Sequence, residues 1–149
     1  MKNWKRKWKV DKMIYIDSNI FFYAKIMDRK YGKACADIIE KISEGEIEAS
    51  ISPLVILEVT NAMKKYGMRK DIKNEADAIL SLDIEIFPID SIVARLAMEI
   101  FEEVGISPYD CTHIAVMKRY EIKRIFSADK EFDRVPGIKR IDPLKQKLL

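Results

Sequence analysis

Glycine, histidine, glutamine and cysteine are all scarce in this 149-residue chain, and each scarcity closes off a class of chemistry. The five glycines are scattered singly, so there is no glycine-rich loop of the kind that cradles nucleotide phosphates, and nucleotide-cofactor readings fail. The single histidine, His113, and the two distant cysteines, Cys35 and Cys111, form no zinc-type spacing. With no apolar segment of the secretory kind, the cysteines read as two reduced thiols in a cytoplasmic protein. No apolar run approaches the roughly 20 residues that span a bilayer, so no membrane partner is expected. Glutamine occurs once and asparagine four times, against abundant Lys, Glu and Ile. That balance resembles hyperthermophile proteins and speaks to source, not to activity.

What is there is enough for one globular domain: 48% hydrophobic and 34% charged residues. The formal charge of +3 is unevenly placed. Residues 1–12 hold six Lys/Arg and one Asp, a net +5, which leaves 21 Lys/Arg against 23 Asp/Glu, a net −2, in residues 13–149. The chain therefore divides into a basic arm (1–12), a slightly acidic domain (13–143) and a short tail (144–149). The arm alternates basic residues with two tryptophans, and three readings of it stay open. Trp4, Lys5, Arg6, Lys7 and Trp8 bind RNA, cations on phosphates and indoles on bases; or the arm is disordered or contacts a neighbouring subunit; or translation starts at Met13.

Short apolar runs alternate with helical patterns along the domain. Met13–Ile16 reads as a buried strand, followed by a helix from about Ile20 to Met27 that Ser18 or Asn19 can cap. Tyr31–Ser43 is a helix stopped by Gly45, and 47–52 is a short strand. Pro53 opens a helix to about Tyr66, and another fits Lys70–Leu82. Ile84–Phe87 is a strand, Ser91–Val104 a helix, and Ser107-Pro108-Tyr109-Asp110 opens a helix to about Tyr120. Arg124–Ser127 is a strand and Ile138–Ile141 a last edge strand. Strands separated by helices define an α/β domain with a parallel sheet covered on both faces.

In such sheets ligands bind beyond the carboxyl ends of the strands. The first strand ends at Asp17 and the one near Ile125 at Ser127-Ala128-Asp129. A single Asp there is ordinary turn chemistry. Glu58 interrupts the apolar run Leu54–Val59, where a carboxylate needs a metal, a core-lining Lys or Arg, or a helix rotated to bring it to water. Asp110 sits in the first turn of its helix, where free backbone N–H groups already favour it. Together the four differ from each alone: like charges at ~4 Å repel by up to ~4 kcal/mol per pair at an effective dielectric of ~20. A divalent cation relieves that, and all-oxygen donors favour Mg²⁺ or Mn²⁺.

Ile14-Tyr15-Ile16-Asp17-Ser18-Asn19, Leu57-Glu58, Ser107-Pro108-Tyr109-Asp110 and Phe126-Ser127-Ala128-Asp129 resemble, in order, the four acidic motifs of PIN-domain ribonucleases. The resemblance spans Met13 to about Pro143 and is closest to the VapC-type toxins of toxin–antitoxin pairs and their archaeal relatives. It implies a three-layer α/β/α fold with a central, mostly parallel sheet, and metal-dependent endonucleolytic cleavage of RNA. Asp17, Glu58, Asp110 and Asp129 would be the catalytic, metal-holding residues, and Asn19 and Ser127 would support them by hydrogen bonding. The implied cofactor is Mg²⁺ or Mn²⁺, activating a water that leaves a 5′-phosphate and a 3′-hydroxyl. The implied partners are substrate RNA, a cognate antitoxin protein and a second copy of the chain in a homodimer.

Other features have plainer explanations. His113, three residues after Asp110 on the same helix face, reads as structural and not as a ligand. Glu131 and Asp133 read as solvated loop charges, and Met98, Ile100, Phe101 and Val104 as core or dimer contacts. Two rival functions remain: a PIN fold kept as a non-catalytic RNA-binding or assembly module, and an aspartyl-phosphate phosphatase or receiver. The latter normally wants a second acid two residues after the first, where this chain has Asn19.

Overall fold

The computed structural model describes residues 12–148. The tryptophan-bearing segment Trp4–Trp8 lies outside the described residues. Five strands form one sheet: β1 (Ile14–Ile16), β2 (Ala49–Ile51), β3 (Ile84–Ile86), β4 (Arg124–Phe126) and β5 (Lys139–Ile141). Six helices connect them: α1 (Ser18–Ile26), α2 (Gly32–Ser43), α3 (Pro53–Lys65), α4 (Ile72–Leu80), α5 (Ser91–Val104) and α6 (Pro108–Arg119).

The sheet order is β3-β2-β1-β4-β5, and every neighbouring pair among the described residues is parallel, as expected of the central sheet. The chain builds outward from β1 through β2 to β3, then crosses back to lay β4 on the other side of β1. The reversal leaves a crevice beyond the carboxyl ends of β1 and β4, where sheets of this kind bind ligands. Helices cover the sheet in two groups: α1 packs on α2 and α3, and α3 on α4, while α5 and α6 pack on each other. The result is a three-layer α/β/α fold. Central β1 is buried at all three positions, as a strand covered on both faces must be, whereas edge strands β3 and β5 are partly open.

Two local expectations are corrected. The cap of α1 is neither Ser18 nor Asn19 but Asp17, whose carboxylate accepts from the Ser18 N–H. The helix expected over Lys70–Leu82 is a 3₁₀ turn at Arg69–Asp71 followed by α4, which stops at Leu80. The C-terminal segment packs as 3₁₀ turns (Pro143–Leu148), with the Gln146 amide oxygen accepting from Lys41 Nζ on α2. Cys35 and Cys111 are buried, unpaired thiols. Along α5, Ile100 joins the core whereas Met98 and Phe101, three residues apart, are exposed. Among the described residues no helix is long and apolar enough to cross a membrane.

Candidate metal centre

β1 and β4 run side by side, with Ile16 opposite Phe126, and the Asp17 N–H donates to the Phe126 carbonyl at 3.0 Å. That register brings the residues following both strands to one place. The Ser127 hydroxyl donates to Asp17 Oδ2 at 2.5 Å, and Asn19 Nδ2 donates to the same oxygen at 3.0 Å. Asn19 also donates to Ser127 Oγ at 3.2 Å and accepts from the Ala128 N–H, which ties the start of α1 to the end of β4. The Asp129 N–H donates to Ser127 Oγ at 2.9 Å, and Asp129 Oδ1 then accepts from the Glu131 N–H. One serine hydroxyl thus joins the Asp17 carboxylate after β1 to the backbone of Asp129 after β4.

Glu58 arrives from α3. Val55, Val59 and Met63, four apart, turn one stripe of that helix into the core and leave Glu58 on its flank, its side chain 26% exposed. Of the three readings of Glu58, a Lys or Arg partner fails: its hydrogen-bond partner is His113 of α6, whose Nε2 lies 2.5 Å from Glu58 Oε1. His113 is fully buried, and its Nδ1 lies 2.7 Å from the hydroxyl of Tyr15 in β1. Tyr15 in turn donates to Ser52 Oγ at 2.8 Å. Ser52 occupies the N-cap of α3, yet its side chain caps nothing, because its hydroxyl serves Tyr15.

One ligand atom each of Asp17, Glu58 and His113 lies within 4.8 Å of the others. Asp110 and Asp129 fall outside that cluster, but their charges reach it. Burial raises the Asp110 pKa from its ordinary 3.8 to about 6, reinforced by the negative charges of Asp17, Asp129 and Glu58 and opposed by His113. Burial likewise raises that of Asp17, while His113 and the Ser127 hydroxyl pull it back. For His113, burial works downward, but the hydrogen bond to Glu58 and the charges of Asp17, Glu58 and Asp110 outweigh it and raise the pKa. Burial first, and the neighbouring negative charges second, disfavour the ionised carboxylates here, and carboxylate oxygens are donors that could hold a hard divalent ion.

Two neighbouring acids are committed elsewhere: Glu131 pairs with Arg134 at 2.8 Å and Asp133 with Arg140 at 2.9 Å. The sequence reading gave His113 no part in the centre, although the three-residue spacing from Asp110 carried the signal. Residues at i and i+3 share a helix face, which sets His113 on the side of α6 that carries Asp110.

Fold and centre together define the class: a parallel α/β/α domain whose topological switch point gathers Asp17, Glu58 and His113, a group that could hold a metal ion. The PIN domain family model matches residues 14–138, and the chain belongs to that family. A VapC ribonuclease of Mycobacterium bovis is 29% identical over 130 residues, covering 87% of this chain and 99% of the relative. Ribonuclease VapC2 of Methanocaldococcus jannaschii is also 29% identical, over 145 residues, covering 87% and 93%. Among solved structures, VapC20 of Mycobacterium tuberculosis, a toxin that cleaves the sarcin–ricin loop, superposes with a TM-score of 0.69 at 15% identity, covering 80% of this chain and 92% of its own. PAE2754 of Pyrobaculum aerophilum gives 0.64 at 18% identity, covering 93% and 96%. At those identities the structural likeness establishes the shared fold.

Proposed function

We propose that this protein is a metal-dependent endoribonuclease, the toxin of a toxin–antitoxin pair, with Asp17, Glu58, Asp110 and Asp129 as its metal-holding catalytic residues. The observation that carries the reading is the approach of ligand atoms of Asp17, Glu58 and His113 to within 4.8 Å of one another at the switch point of a PIN-family domain, with Asp110 close enough to feel the charges of Asp17, Asp129 and Glu58. Membership of the family and the names of the ribonuclease relatives support RNA as the substrate. The carboxylates fit Mg²⁺ or Mn²⁺, and such an ion, once bound, makes a nucleophile of its water and offsets charge on the scissile phosphate.

The chain's own part is to shape and hold the centre. Asp17 keeps a fixed carboxylate orientation because Ser127 and Asn19 both donate to Oδ2 and the Ser18 N–H to Oδ1. Asp129 is held through Ser127, and Asp110 by its place in the first turn of α6, which Ser107 caps. Unloaded, the centre is negative and repels a polyanion, so affinity for RNA must follow cation binding.

A cognate antitoxin protein that covers the centre fits the same reading, as does a homodimer through the exposed Met98 and Phe101 of α5. The compartment is the cytoplasm. The basic arm, through Lys5, Arg6 and Lys7 with Trp4 and Trp8, adds salt-dependent RNA affinity, which its deletion would remove without loss of metal binding. The decisive experiment incubates the purified protein with labelled RNAs in Mn²⁺, in Mg²⁺ and in excess EDTA. Cleavage with either metal and none in EDTA supports the reading, and equal cleavage in EDTA overturns it.

A further inference from the structure

We propose that His113, Tyr15 and Ser52 form a positioning relay that aims the Glu58 carboxylate at the metal, and that His113 is not itself a metal ligand. The inference rests on the proposed metal centre and adds to it a group of residues that would touch neither metal nor RNA. Its starting point is the bonding of the imidazole. Nδ1 faces the Tyr15 hydroxyl at 2.7 Å and Nε2 faces Glu58 Oε1 at 2.5 Å, so both ring nitrogens are engaged. A carboxylate oxygen has no proton to give, so Nε2 must donate to it. A nitrogen that carries a proton has no lone pair left for a metal. Glu58 keeps its second oxygen, which takes no hydrogen bond among the described residues, on a side chain 26% exposed. The arrangement holds one oxygen from behind and leaves the other to coordinate.

The rest of the line supports the imidazole. His113, Tyr15 and Ser52 are each fully buried, so their polar side-chain atoms need protein partners, which Tyr15 supplies to the other two while His113 Nε2 takes Glu58. Tyr15 sits in the middle of central strand β1, the most constrained place in the sheet. Ser52 gives up the capping bond that its N-cap position normally makes and accepts from Tyr15 instead. Four residues from β1, the start and flank of α3, and α6 are thereby coupled. Glu58 is on the exposed flank of a helix, where its long side chain would otherwise sample several rotamers, and the relay removes that freedom before the cation arrives.

The test is Mn²⁺ binding to the purified full chain without RNA, followed by calorimetry and by pulsed electron paramagnetic resonance. His113→Leu removes the donor, His113→Gln restores one through its amide nitrogen, and Tyr15→Phe deletes only the second bond of the line; circular dichroism checks that each variant is folded. We expect His113→Leu to weaken Mn²⁺ binding by about 10- to 100-fold, the usual cost of losing a group that orients a ligand. His113→Gln recovers most of that loss, Tyr15→Phe loses a few-fold, and the wild-type spectrum lacks the coupling of a directly bound imidazole nitrogen. In a Glu58→Gln background, His113→Leu costs little more, since the two act through one oxygen. Unchanged affinity in folded His113→Leu, or a coordinated-nitrogen signal, overturns the relay while leaving the metal centre intact. Failure of the wild type to bind Mn²⁺ overturns the centre and the relay together.

Discussion

The Ser127 hydroxyl lies 2.5 Å from Asp17 Oδ2, although the two residues are 110 positions apart in the chain. The contact follows from the parallel register of β1 and β4 and ties the Asp17 carboxylate to the backbone of Asp129, because the same serine oxygen accepts from the Asp129 N–H. Ser127→Ala therefore removes a donor from Asp17 and an acceptor from Asp129 and Asn19 in one step. Ser127 is fully buried, so the orphaned groups are not readily rehydrated, and the expected cost is about 1–3 kcal/mol of stability. Metal affinity should fall by about 10- to 100-fold. Thermal melting with and without Mn²⁺ checks both, and a variant with wild-type melting and affinity would make the contact incidental.

Asp17→Asn keeps the shape of the side chain and removes its charge. The amide can still accept from Ser127 or Asn19 through its oxygen, so the fold should survive. Cleavage of RNA in Mg²⁺ or Mn²⁺ should fall by more than the roughly 100-fold expected for a supporting residue, because a proposed ligand is lost. A gel assay on labelled RNA, run beside a circular dichroism spectrum, decides; retained cleavage would remove Asp17 from the chemistry.

Asp110 predicts a pH effect in the metal-free protein. Its pKa rises from 3.8 to about 6 on folding, so the folded state holds the proton more tightly than the unfolded chain. The stability this contributes is complete below about pH 4 and is lost as the pH rises through 6. At pH 7 the ionised carboxylate is a net cost, which Asp110→Asn removes. Discounted for partial exposure, the gain is about 1 kcal/mol, or roughly 2–4 °C in melting temperature. It should shrink towards pH 4 and be offset by added Mn²⁺, which favours the wild type. A metal-free variant that melts below the wild type at pH 7 would mean that the acids do not repel.

The parts of this architecture legible in the sequence are those written in local patterns. Asp17 and Asp129 follow short apolar strands, and Ser107 with Pro108 announces the start of α6, where Asp110 sits. What the sequence hides is the use made of side chains that already have a sufficient local explanation. Tyr15 reads as core because its neighbours Ile14 and Ile16 are apolar, and its hydroxyl is invisible to a hydrophobic pattern. Ser52 reads only as the end of a short strand before the Pro53 helix, and the tertiary fold reveals that its hydroxyl is turned to Tyr15. Glu58 misleads in another way. The run Leu54–Val59 looks uniformly buried, but Val55 and Val59 face the core while Leu57 is 64% exposed. Helical periodicity breaks a continuous apolar run into faces, so Glu58 needs a smaller counter-charge than full burial would demand, and a histidine suffices.

The join between α1 and α2 offers a last test of how the start of α1 is held against the sheet. The chain turns there through Met27 in the left-handed region, at φ 48°, and Asp28 Oδ2 accepts from the Lys30 and Tyr31 N–H groups. Gly32 opens α2 directly against this turn: a Cβ at that position would lie 2.6 Å from the Met27 carbonyl carbon and 2.8 Å from its Cα. Backbone atoms cannot swing away as a side chain could, so Gly32→Ala must push α1 and α2 apart, at a cost of about 1–3 kcal/mol. Gly45→Ala is the control, since Gly45 has open space around it and suffers only from its φ of +78°, worth about 1–2 kcal/mol. Because α1 begins at Asp17 and carries Asn19, the Gly32 variant should also weaken Mn²⁺ binding, whereas the Gly45 variant should not. Melting curves and Mn²⁺ titrations of both proteins distinguish a general loss of stability from a displaced α1, and equal Mn²⁺ affinity in the two would show that the join does not set the position of Asp17.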